Sequence, residues 1–123
     1  MYFLTDLILD PLPYQQWRVV EPFIVDGTIA GRIEVPDGFI CNLNSIPRPF
    51  WSISLPTDYP EAGVVHDWGY RGNLPREVAD SVYRDILEHL GMGRTRRNMR
   101  YWAVRGFGGM HYGPDADRLQ IGP

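Results

Sequence analysis

Asn73-Leu74-Pro75-Arg76-Glu77-Val78-Ala79-Asp80-Ser81-Val82-Tyr83-Arg84-Asp85-Ile86-Leu87-Glu88-His89-Leu90-Gly91 is the most regular stretch of the chain, and its reading decides the fold. Val78, Ala79, Val82, Tyr83, Ile86, Leu87 and Leu90 recur at three- and four-residue steps, the spacing that collects apolar side chains on one face of an α-helix. Asn73 is a capping residue type, and Pro75 falls in the first turn, where a missing N–H costs nothing. Gly91 is placed for the left-handed position that closes a helix, and Gly93 reinforces the stop. Working outward, a preceding helix starts near Thr57 or Asp58 with Pro60 in its first turn, and Gly69 and Gly72 limit it to about three turns. A following helix is expected over Thr95 to Arg105, ended by Gly106, Gly108 and Gly109.

Upstream of residue 57 the period changes. Phe3 to Leu9, Trp17 to Val20 and Phe23-Ile24-Val25 read as short strands, the first ended by Asp10-Pro11-Leu12-Pro13. Asp26-Gly27, between Phe23-Ile24-Val25 and Thr28-Ile29-Ala30, is a type I′ hairpin signal, because that turn requires positive φ at both central residues. Arg32-Ile33-Glu34-Val35 alternates as a half-buried strand does, and Pro36-Asp37-Gly38 ends it. The expectation is an α+β protein, with a small N-terminal antiparallel sheet packed against about three C-terminal helices. Residues 1–56 would be mainly strands and loops, 57–108 mainly helical and 109–123 a tail, all within one domain over 1–123. Trp17, Phe39, Trp51, Val65, Val82, Ile86 and Trp102 are the expected core.

Composition narrows the function classes. With 123 residues, 44% hydrophobic and 13% aromatic, the chain can bury roughly two-thirds of its unfolded surface without a metal or disulfide staple. Twelve basic against 15 acidic residues leave a net charge of −3, which argues against a nucleic-acid partner. All the basic residues are arginine. Cys41 is the one cysteine and can form no internal disulfide. No apolar run approaches the ~20 residues of a transmembrane helix, and the N-terminus lacks the basic start of a signal peptide. Synthesis in the cytoplasm is expected.

The densest chemistry is His66-Asp67-Trp68-Gly69-Tyr70, with Asp80 on the next helix. The short Gly72-Asn73-Leu74-Pro75 connection lays the two helices antiparallel. Asp80 can then reach His66, orient one ring nitrogen and leave the other as a general base for water. Tyr70, four residues after His66, shares its face. Asp67 points about 100° away round the helix. A carboxylate there can hold calcium beside the activated water, with further oxygens from the loop carrying Asn42 and Asn44. Zinc is disfavoured, since His66, His89 and His111 make no short ligand pair.

Val35-Pro36-Asp37-Gly38-Phe39, Asn42-Leu43-Asn44-Ser45-Ile46-Pro47-Arg48, His66-Asp67-Trp68-Gly69-Tyr70 and Ala79-Asp80 together resemble the phage and prophage proteins grouped as domain of unknown function 1353. The resemblance runs over roughly residues 17 to 108. Where that family usually has T-D-L-A-S, this chain has Cys41-Asn42-Leu43-Asn44-Ser45, so a neutral amide replaces the acid at Asn42. A second, local resemblance over about 25 residues is to secreted and parvoviral phospholipases A2, through His66, Asp67, Tyr70, Ala79 and Asp80. It implies His66 as base, Asp80 as orienter and Asp67 as calcium ligand, acting on a lipid or other ester. Their glycine-rich calcium loop has no counterpart before His66.

Two functional expectations follow. One is a phospholipase-A2-like, water-activating hydrolase with His66, Asp80 and Tyr70 at its centre, calcium as its cofactor and envelope lipid as its partner. The other is a non-catalytic virion or tail-associated protein, in which the same residues lock helix to helix.

Overall fold

The computed structural model describes residues 1–43 and 58–113. Asn44 and Trp51, both singled out above, lie outside the described residues. Two three-stranded antiparallel sheets occupy the N-terminal part. Strands β1 (Tyr2–Phe3), β4 (Phe23–Thr28) and β5 (Gly31–Val35) form one in the order β1-β4-β5. Strands β2 (Leu9–Leu12), β3 (Gln16–Val19) and β6 (Ile40–Cys41) form the other in the order β2-β3-β6. Helices α1 (Pro60–Trp68), α2 (Arg76–His89) and α3 (Arg94–Phe107) follow. The α+β reading therefore holds, with two small sheets in place of one.

The hairpin β4–β5 forms, but its turn is displaced from the expected place. Thr28 pairs with Gly31, which puts Ile29 and Ala30 at the tip, while the register shifts between Val25 and Thr28. Asp26-Gly27 is thus a bulge inside β4. Gly27 takes φ 74° there, as a bulge glycine does, and the Met1 backbone lies 3.3 Å from where its Cβ would stand. The Thr28 hydroxyl stabilises the actual turn, accepting from Ala30 N at 3.1 Å and donating to Gly31 O at 2.6 Å. Asp10-Pro11-Leu12, expected to end a strand, instead lies within β2. Pro11 is tolerated because β2 is an edge strand.

Helix α1 is the central element. Ala62, Gly63, Val64, Val65 and His66 are five consecutive buried residues, so this helix is covered on more than one face. It packs against β5, β6 and α2. Pro60 stands at its first turn as expected, but Tyr59 in a left-handed conformation precedes it and no side chain caps it. The helix then widens into a π-helical turn over Gly69–Asn73, ended by Gly72 at φ 92°. Asn73 does not cap α2; its Nδ2 donates to Trp68 O at 2.7 Å and closes the end of α1 instead. Gly69 allows the close approach of the two helices, since a Cβ there would stand 3.1 Å from both Ala79 Cβ and Leu74 Cδ1.

Helix α2 buries Ala79, Asp80, Val82, Tyr83, Ile86 and Leu87 along one stripe. It ends in the expected glycine motif. Met92 N donates to Leu87 O at 3.0 Å, Gly91 N to Glu88 O at 3.0 Å, and Gly91 has φ 93°. Among the residues of α3 whose side chains are described, Arg100, Ala103 and Val104 are buried, at three- and four-residue steps. That phase turns Trp102 outward, where it is 68% exposed, contrary to its expected place in the core. Arg100 is inside at 1% exposure, with its guanidinium on Asp58 O at 3.0 Å and Tyr83 Oη at 3.4 Å. Val65, Val82 and Ile86 are fully buried, and Trp17 and Phe39 pack partly buried against them.

Two glycine substitutions separate packing from helix propensity. Gly69→Ala should cost about 1–2 kcal/mol, because the added methyl pushes α1 from α2. Gly106→Ala, which meets nothing within 4 Å near the end of α3, should be neutral or stabilising by up to about 0.5–1 kcal/mol. Urea titrations followed by circular dichroism check both.

Candidate functional site

The antiparallel arrangement of α1 and α2 brings His66, Tyr70 and Asp80 together as expected. His66 Nε2 lies 2.8 Å from Asp80 Oδ1, and the Tyr70 hydroxyl donates to the same oxygen at 2.6 Å. The His66 ring packs at 4.1 Å from that of Tyr70 and 4.8 Å from that of Tyr83. Asp80 is fully buried and His66 is 2% exposed, so Asp80 lies inside the interface between the helices, not at its edge.

Two arginines complete the cluster. Arg105, near the end of α3, donates from Nη1 to Asp80 Oδ2 at 2.8 Å, and its side chain remains 27% exposed. Arg76, in the first turn of α2, donates from Nε to Tyr70 Oη at 3.2 Å and from Nη2 to the carbonyls of Val104 and Arg105, at 3.0 and 2.6 Å. Arg76 thus joins the C-terminal turn of α3 to Tyr70. Arg105 reads in the sequence only as one of several arginines on α3, and Arg76 stands out by nothing at all. What would have found them is the packing angle of α3, which carries no local signal.

The electrostatics follow from this wiring. Burial alone would raise the Asp80 carboxyl, but hydrogen bonds from His66, Tyr70 and Arg105 override it and hold the group below its usual range. Burial and the bond to Asp80 push the Tyr70 hydroxyl up, so it stays a donor. An ionised Asp80 can only accept, which places the proton of a neutral His66 on Nε2 and the lone pair on Nδ1. Among the described residues, His66 Nδ1 is buried without a hydrogen-bond partner.

Asp67 faces the other way, toward the chain leaving β6. Its Oδ2 accepts the backbone N–H of Asn42 at 3.2 Å and that of Leu43 at 2.9 Å. Leu43 adopts φ 58°, a left-handed conformation that costs a non-glycine residue roughly 1–2 kcal/mol. The Asp67 bonds and the burial of the Leu43 side chain hold it there. Burial pushes the Asp67 carboxyl up, against the lowering effect of His66 and of the two amides. Calcium takes oxygen ligands, whereas this segment presents N–H groups to Asp67. No group of three or more His, Cys, Asp or Glu converges among the described residues. Oδ2 of Asp67 is thus engaged by two backbone amides, and Asn44, the other residue named for calcium beside Asn42, lies outside the described residues. Cys41, one residue upstream, is buried, and burial pushes its thiol far up, which suits packing and not nucleophilic chemistry.

Asp80→Asn removes the charge on which the three donors converge and should cost about 2–4 kcal/mol at pH 7. The sign of the pH dependence is fixed by the lowered carboxyl. Its stabilisation is complete above about pH 4, the ordinary carboxylate value, and is lost as pH falls through the lower folded value. The stability gap between wild type and Asp80→Asn should therefore narrow in acid, which denaturant titrations across that range measure. Gly108→Ala should also destabilise, since its Cβ would stand 2.6 Å from Tyr70 Oη; thermal melting tests this.

No helix among the described residues is long and apolar enough to cross a membrane. Neither the curated proteins nor the solved structures compared contain a match to the chain. A family model does match, over residues 17–104, a span that includes β3 through most of α3 and every member of the cluster except Arg105. On that match the chain belongs to the family described as protein of unknown function, DUF1353.

Proposed function

We propose that the protein is a hydrolase that cleaves an ester by activating water at His66 Nδ1. One observation carries the reading: a buried imidazole has Nε2 held by a carboxylate at 2.8 Å, while Nδ1 lies without a protein partner among the described residues. A buried polar atom left unpaired costs about 1–3 kcal/mol, a cost that a base pointed at its substrate water explains. In this mechanism Nδ1 takes a proton from water as the oxygen attacks the ester carbonyl carbon. The tetrahedral intermediate then collapses, the alkoxide leaves, and the imidazolium returns the proton to it. Products are a carboxylic acid and an alcohol. Asp80 fixes the ring and favours the imidazolium that forms, and Tyr70 fixes Asp80. Asp67 acts as the anchor of the Asn42–Leu43 segment, and no step is routed through a cation. The local resemblance to phospholipases A2 favours a lipid ester of the bacterial envelope as substrate.

The burial of the histidine and carboxylate at the centre of the cluster favours a second reading. His66 at 2% exposure and Asp80 at 0% lie where a helix-to-helix lock would lie. In that reading the protein is a non-catalytic virion or tail-associated component, consistent with the phage proteins that its motifs resemble.

Hydrolysis of p-nitrophenyl butyrate and of phosphatidylglycerol vesicles, with wild type beside His66→Gln, separates the two. The hydrolase reading expects His66→Gln to lower the rate by about 10²–10⁴-fold with the fold retained. Equal rates in the two proteins would leave the structural lock. Melting with millimolar calcium and with a chelator should give the same midpoint; a rise with calcium that Asp67→Asn abolishes would reinstate Asp67 as a ligand.

A further inference from the structure

We propose that Arg105 is a positioning residue that keeps His66 in its neutral, base-competent form by balancing the charge of Asp80. The inference rests on the hydrolase reading for its use, and on geometry alone for its content. Asp80 has no solvent contact, so its negative charge must be matched within the protein. Two groups on it can carry a positive charge: His66 on Oδ1 and Arg105 on Oδ2, each at 2.8 Å. Arg105 is always charged, and the bond to Asp80 pushes its guanidinium further up. With Arg105 in place, Asp80 is matched and His66 is free to remain neutral with its lone pair on Nδ1. Without it, the matching charge must come from His66, whose Nδ1 would then carry a proton and could accept none.

The other groups around the ring do not supply that charge. Tyr70, from the π-helical turn, and Tyr83, from α2, face it as neutral rings. Asp67, next to His66 on α1, is itself acidic and is turned to the Asn42 and Leu43 amides. Among the described residues, Arg76 reaches Tyr70 Oη and two α3 carbonyls and makes no bond to Asp80 or His66. Glu77, also on α2, acts on Arg105 and only reinforces its charge. Arg105 is thus the one described cation in contact with the carboxylate.

The test is the protonation state of His66 at pH 7, read from imidazole ¹⁵N correlation spectra of the full chain. Wild type should show the neutral Nε2–H tautomer, Arg105→Gln the doubly protonated ring, and Arg105→Lys the neutral ring again. Ester hydrolysis by Arg105→Gln should fall about tenfold or more at pH 7 and recover as pH is raised, one pH unit being worth a factor of ten. A purely structural Arg105 would lower the melting temperature without moving either readout. A neutral His66 in folded Arg105→Gln overturns the proposal. Should that variant not fold, wild type decides alone, because an imidazolium at pH 7 beside an intact Arg105 overturns it equally. The spectra need no substrate: the expected pattern in a chain that cleaves no ester supports the role of Arg105 and removes only the hydrolase reading.

Discussion

A carboxylate cut off from water must be matched by donors, and the helical half of this protein is arranged around one such group. Three donors converge on Asp80, each from a different element: His66 from α1, Tyr70 from the π-helical turn and Arg105 from α3. Removing any one leaves part of a buried charge unpaired, which is far costlier than losing a surface ion pair. The relative placement of the helices is therefore constrained at a point, in addition to the non-directional constraint of apolar packing. The π-helical turn belongs to the same arrangement, because Tyr70 lies in it.

Much of this was legible in the residues. The three- and four-residue stripe of α2, the Gly91 stop and the short link after Gly72 predict an antiparallel helix pair, and with it the meeting of His66, Tyr70 and Asp80. That part of the site is local: the residues lie within 14 positions of each other, and helical periodicity is enough to place them. The contributions of Arg105 and Arg76 depend on how α3 crosses the pair, 25 and more residues away, and no pattern in a single sequence encodes that angle. Trp102 failed for a related reason. Its size suggests burial, but the phase set by Ala103 and Val104 points it outward and turns Arg100 in.

In the sheets, the strongest local signal was real but had another use. Asp26-Gly27 supplies a positive φ, as a type I′ turn needs, yet that conformation serves a bulge beside the first residue of the chain. The turn moved three residues on, where Thr28 could satisfy it through its hydroxyl. Turn propensity identifies the conformation a residue accepts; pairing with β1 decides what that conformation is used for. Asp67 shows the same division. Its type and position suggested a metal ligand, while the amides of Asn42 and Leu43, 25 and 24 residues earlier, claim it as an anchor.

His66 and Asp67 are neighbours on α1, about 100° apart round its axis, and they bind in opposite directions. One holds α2 through Asp80, and the other holds the segment after β6 through two backbone amides. A helix tied on two sides at adjacent residues cannot roll: turning it enough to release one bond pulls the other out of line. Helix α1 is thereby locked in rotation as well as in depth, and the aim of the His66 ring is set by the sheet side of the protein as much as by the helix that it faces.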